Sequence, residues 1–168
     1  MESMRDLLAS DHRQTLQFFF TGLQDVSEPT VDRDELLYNA SVLAHHAQVS
    51  TQATLEIPTP RNLSAVFDAF VLDTRLSSDS TMMETAGAQC LLLAGFFEDQ
   101  MRACHAIEWY AALGATFYRQ AAAHERSPVR AKLFHGVSRQ FEPWRRRHSQ
   151  LSRELRDQHY LLPPPNQR

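Results

Sequence analysis

Residues 81–125, TMMETAGAQCLLLAGFFEDQMRACHAIEWYAALGATFYRQAAAHE, decide the fold. They contain the two most apolar runs of the chain, Cys90 to Phe97 and Trp109 to Tyr118. Met83, Gly87, Cys90, Ala94, Phe97 and Met101 recur at alternating spacings of four and three, which is one stripe of a helix. Between residues 90 and 97 the flanking faces are apolar too, so this helix is expected to be buried on most sides. Its predicted span is 81–103, with Thr81 and Glu84 as a capping box. Tyr110, Gly114, Phe117 and Ala121 form the matching stripe of a second helix. The connection Arg102-Ala103-Cys104-His105 is short enough to make the pair antiparallel. Gly87 and Gly95 each cost about 1 kcal/mol against alanine in a helix. The expected return is close backbone approach by a neighbouring helix.

Gly87, Leu91-Leu92-Leu93, Gly95-Phe96-Phe97, Arg102, Tyr110, Leu113-Gly114, Tyr118 and Ala121-Ala122 carry a resemblance as well. Residues 81–124 resemble a group of uncharacterised all-helical bacterial proteins. The shared pattern is one of packing, with no catalytic residue type at its centre. The resemblance implies an all-helical bacterial protein and nothing about its activity.

Outward from this hairpin the pattern stays helical. Leu8, His12, Leu16, Phe19 and Leu23 share a face, so residues 4–24 are read as helix. Phe18 and Phe20 cannot both share the face of Phe19, so one is expected in solvent or against a partner chain. Asp32 and Glu35 signal the start of a helix ending near Thr51, with Leu36, Ala40, Leu43 and Ala47 as its stripe. Pro58 and Pro60 mark 52–61 as loop or a short extended piece. Asn62 opens a short helix to Leu72, and 73–80 is a polar loop. Ser127-Pro128 is a hydroxyl cap followed by proline at the first helical position. From there Phe134, Val137, Phe141, Trp144, His148, Leu151 and Leu155 keep three-four spacing. Pro143 interrupts that run and predicts a kink or break at 140–143. The fold class expected is all-α, a single irregular bundle of about six helices over 1–160. Residues 161–168, with Pro163-Pro164-Pro165, form a mobile tail.

Bulk composition narrows the function classes. The 168 residues are 43% hydrophobic and 22% charged, as in a globular domain. The longest apolar run is far short of the ~20 residues that span a membrane. Asp6, Asp11 and His12 argue against a signal peptide, so a cytoplasmic protein is expected. Residues 1–104 carry a net charge of −9 and residues 105–168 a net charge of +6. Opposed surfaces of this kind attract within one fold or between subunits.

Chemistry-bearing motifs are scarce. The chain has no Glu-x-x-His, no His-Glu-x-x-His and no histidines four apart, so no metal or other cofactor is expected. His45 and His46 are adjacent and cannot easily share one small ion. Cys104 beside His105 is the nearest approach to a nucleophile and base, but neighbours on one backbone rarely face each other. Cys90 lies on the buried stripe as a small hydrophobe. Arg145-Arg146-Arg147 suggests a phosphate contact, yet interleaved acids and a pI near 6.2 argue against nucleic acid as a partner.

Three readings follow. The first is a non-enzymatic protein acting through association, as a homodimer or with a protein partner. Its expected surface is the stretch beyond Pro143: Trp144, His148, Leu151 and Leu155, flanked by Arg145 and Arg146. Protonation of His148 near pH 6 is expected to weaken that contact. The second is a small apolar ligand held between helices, lined by Phe97, Tyr110, Phe117 and Tyr118. The third is an enzyme with a site assembled from distant residues, for which no motif speaks.

Overall fold

The computed structural model describes residues 12–52, 79–102 and 107–157. Among these the chain is all-α, with seven helices and no strand. They are α1 (His12–Asp25), α2 (Arg33–Gln52), α3 (Ser80–Leu91), α4 (Glu98–Met101), α5 (Ile107–His124), α6 (Pro128–Arg139) and α7 (Phe141–Asp157). A wide π-helical turn, Leu92–Phe96, joins α3 to α4. Several sequence expectations lie outside the described residues. They are residues 4–11 of the helix read over 4–24, the helix at 62–72, the loops at 53–61 and 73–78, the Cys104–His105 turn and the tail at 161–168. The chain divides into two compact units, Glu56–Ser149 and Met1–Leu55 with Gln150–Arg168.

The first unit is organised by the expected hairpin. Ser80 Oγ donates to Ala121 O at 3.0 Å, so the start of α3 lies against the end of α5. Gly87 faces Tyr118 and Cys90 faces Gly114, so the two run antiparallel. A Cβ added at Gly87 would stand 2.9 Å from the Tyr118 ring, and one at Gly114 would stand 2.8 Å from Cys90 Cβ. Here the glycines admit side chains of the facing helix, not its backbone. Tyr118 is fully buried, with ring centroids of Phe134 and Phe141 at 6.3 and 6.2 Å. Aromatic rings at that separation contribute about 0.5–1.5 kcal/mol per pair beyond their burial.

The start of α3 differs from expectation. Asp79 is the cap, accepting from Met82 N at 3.1 Å, so the helix begins before Thr81. Thr81 lies in the first turn, where Thr85 Oγ1 donates to its carbonyl at 2.9 Å. The cap of α6 is the expected one: Ser127 Oγ accepts from Arg130 N at 3.4 Å, with Pro128 next.

Pro143 does not kink a helix. The chain leaves helical geometry at Gln140, φ −101° and ψ 21°, and α7 starts at Phe141. Pro143 therefore sits in a first turn, where backbone N–H groups have no helical acceptor and its missing donor costs nothing. The apolar seam survives the break, for Phe134, Val137, Phe141, Trp144, His148, Leu151 and Leu155 are all buried.

The second unit contains α1, α2 and the end of α7. Asp32 caps α2, its carboxylate accepting from Glu35 N at 3.0 Å. Phe19, Leu23, Leu36, Ala40, Leu43, Leu151 and Leu155 are buried. Leu151 packs against Gly22, whose added Cβ would stand 2.8 Å from its Cδ1. Phe18 and Phe20 are both half-buried, and the Phe18 ring meets Phe19 edge-on at 5.2 Å.

Candidate functional site

The wide turn is the one break in helical regularity inside the apolar run. Phe97 N donates to Leu92 O at 2.8 Å, an i to i+5 closure. Such turns are often found where a helix serves function. The extra residue advances every later position around the axis. Phe97, expected on the buried stripe, is half-buried, and Glu98 is buried in its place.

Gly95 lets the first turns of α7 lie directly on the wide turn. A Cβ at Gly95 would stand 2.9 Å from His148 Cβ and 3.0 Å from Arg145 O. This close approach brings a cluster of ionised side chains together. Arg145 Nη1 donates to Ala94 O at 3.1 Å, inside the wide turn, and lies 3.3 Å from Glu98 Oε1. Arg145 Nε and Nη2 donate to the two oxygens of Glu142, the first at 2.9 Å. Ser149 Oγ donates to Glu98 Oε2, and Arg102 Nη2 donates to Glu98 Oε1 at 3.0 Å. Arg146 Nε reaches Glu142 at 3.2 Å from the solvent side.

The electrostatics follow from these contacts. Burial alone would raise the Glu98 carboxyl. Hydrogen bonds from Ser149 and Arg102, and the charges of Arg145 and Arg102, outweigh it and hold Glu98 below its ordinary value. The hydrogen bond from Arg145 likewise holds Glu142 down, and the same bond raises Arg145. Glu98 therefore stays ionised while accepting bonds from two side chains and facing a third. A carboxylate so engaged is a poor base. It suits the role of a clamp, tying α7 to the wide turn by its most polar groups.

Two buried groups of catalytic type, Cys90 and His148, are held neutral. Burial pushes the Cys90 thiol up to about 12, so thiolate is scarce at neutral pH. Burial pushes the fully buried His148 down to about 3. Among the described residues no three His, Cys, Asp or Glu side chains converge as a metal ion would require.

The expected association surface is corrected by this arrangement. Trp144, His148, Leu151 and Leu155 are each at most 4% exposed, and Arg145 is buried with them. The stretch beyond Pro143 is therefore buried, because the break at Gln140 redirects the backbone without turning the seam outward. Arg146 alone of the six is exposed, and Arg147 stacks over the Trp144 ring at 4.5 Å. Nor can His148 act as a sensor near pH 6, since its neutral form persists well below that. Of the residues expected to line a pocket, Tyr110, Phe117 and Tyr118 are buried and Phe97 is half-buried. The contacts of Tyr118 with Phe134, Phe141 and Gly87 assign that ring to packing.

Glu98 and Ser149 were not singled out by sequence as partners. Their local signals are visible afterwards: Glu98 and Arg102 are four apart, as are Arg145 and Ser149, and Glu142 precedes Arg145 and Arg146 by three and four. No protein-family model matches the chain, and neither a curated protein nor a solved structure shows significant similarity to it.

Proposed function

We propose that this chain is a cytoplasmic, non-enzymatic helical protein that acts through association, with Trp109 as an anchor of the contact. The observation that carries the reading is the exposure of that residue. Trp109 is 45% exposed on α5, beside the buried Tyr110 whose ring it meets edge-on at 4.9 Å. Tryptophan is the side chain with most to gain from cover, and it is enriched among residues that dominate binding energy. The interior supports the same reading. Its ionised Glu98 and Arg145 are committed to the clamp, and burial holds its Cys90 thiol and His148 imidazole neutral. No described helix is long and apolar enough to cross a membrane.

Sedimentation of the wild type and of Trp109→Ser tests the reading. The wild type should associate at micromolar concentration, and the substitution should weaken association by about tenfold or more. A wild type that stays monomeric, or an assembly indifferent to Trp109→Ser, would overturn it.

A further inference from the structure

We infer that a second copy of this chain docks on the exposed face of α6, and that it does so with the acidic connection between α1 and α2. The inference rests on the association reading and names its partner and a second contact.

The α6 sequence, PVRAKLFHGVSR, contains no carboxylate. Val129, Lys132 and Arg139 fall on one face at spacings of three and seven, and His135 lies beside them; all four are exposed. Lys132 and Arg139 stand about 10.5 Å apart along the axis. None of Lys132, His135 and Arg139 is ion-paired among the described residues. Val129 is 76% exposed, the most of any large apolar side chain described. The face is therefore a cationic strip with an aliphatic residue at one end.

The complementary surface is on the same chain. Asp25, Glu28, Asp32 and Asp34 are all exposed at the α1–α2 connection, against a single cation, Arg33. Asp32 is occupied as the cap of α2. Asp25, Glu28 and Asp34 have no ion pair among the described residues. Leu37, 47% exposed, follows Asp34 by one helical turn. Each surface thus pairs unpartnered charges of one sign with one uncovered aliphatic side chain. Opposite charge orients such a contact, and the aliphatic pair gives it a dry centre. Each copy offers both surfaces, so the pairing is self-complementary between copies. A polyanion such as duplex DNA is the poorer occupant. The chain is net −3, and its exposed acids would repel it.

The test is a charge swap in the full chain, read by sedimentation. One variant carries Lys132→Glu and Arg139→Glu; the other carries Asp25→Lys, Glu28→Lys and Asp34→Lys. Every position is exposed, and a milder Lys132→Gln, Arg139→Gln pair serves if the first misfolds. Each reversed variant alone should associate on the order of a hundredfold more weakly than wild type, because like charges then face each other. An equimolar mixture of the two should regain wild-type affinity, since each reversed surface then meets its complement on the other variant. A wild-type dimer unmoved by either reversal, or a mixture that does not recover, overturns this inference and leaves the association reading standing. A monomeric wild type overturns both. Loss of binding to a short DNA duplex by the basic-face variant, with its dimer intact, would assign the face to a polyanion instead.

Discussion

Replacing Arg145 by methionine is the sharpest probe of the clamp. The guanidinium is 10% exposed, and methionine can keep much of its packing while removing its charge and its donors. Three partners are affected. Ala94 O loses a side-chain donor inside the wide turn, which costs about 1–3 kcal/mol if nothing replaces it. Glu98, 12% exposed, loses one buried cation but keeps Ser149 and the solvent-facing Arg102. Removing one partner of a buried pair costs about 3–5 kcal/mol when the other is stranded, and Glu98 is only partly stranded. Glu142 is 45% exposed, so screening by water makes its loss nearly neutral. Together these place Arg145→Met at about 3 kcal/mol of lost stability, toward the lower end of the buried-pair range. Urea unfolding at neutral pH measures it. Adding Glu98→Gln to Arg145→Met should recover part of the loss, because the stranded charge goes with it. A loss below about 1 kcal/mol, or a double variant as unstable as the two single effects added, would refute the clamp.

Other outcomes follow from named residues. His148 is neutral when folded, down to about 3, while the unfolded chain binds its proton near 6.5. A depressed histidine contributes stability that is full above its unfolded value and lost as pH falls from there toward the folded value. The wild type should therefore lose about 2 kcal/mol more than His148→Gln between pH 7 and pH 5, measured by urea unfolding. Equal losses would contradict the burial of that ring. Gly87→Ala places a Cβ 2.9 Å from a Tyr118 ring packed beside Phe134 and Phe141, so thermal unfolding should show a loss of about 1–3 kcal/mol. Asp79→Ala should cost about 1 kcal/mol and Thr81→Ala much less, the reverse of what the sequence pattern alone suggests.

The hairpin was legible because its stripes obey helical spacing and because Gly87 and Gly114 occur where a facing ring needs room. The break before α7 was legible from Pro143, although its consequence was misjudged. A proline fits a first turn, so the break could fall at Gln140 without diverting the seam. The wide turn was hidden for a physical reason. From Cys90 to Phe97 every face is apolar, so one extra residue changes no contrast between buried and exposed positions. The slip turns Glu98 inward, where it meets Arg145, itself held by Ala94 O and Glu142. An arginine run read along the chain therefore looks solvated, while here one of its members, Arg145, is buried and bonded to two carboxylates and a carbonyl. The cap at Asp79 was masked by a competing Thr81–Glu84 pattern two residues further on.

The proposed association is held by charge as well as by apolar cover. Sedimentation equilibrium of the unmodified chain, at high micromolar concentration and across a range of salt, tests this most directly. The expected mass is twice 19.3 kDa at low salt, declining toward the monomer as screening shortens the reach of the exposed charges. A mass of 19.3 kDa at every salt concentration would contradict it.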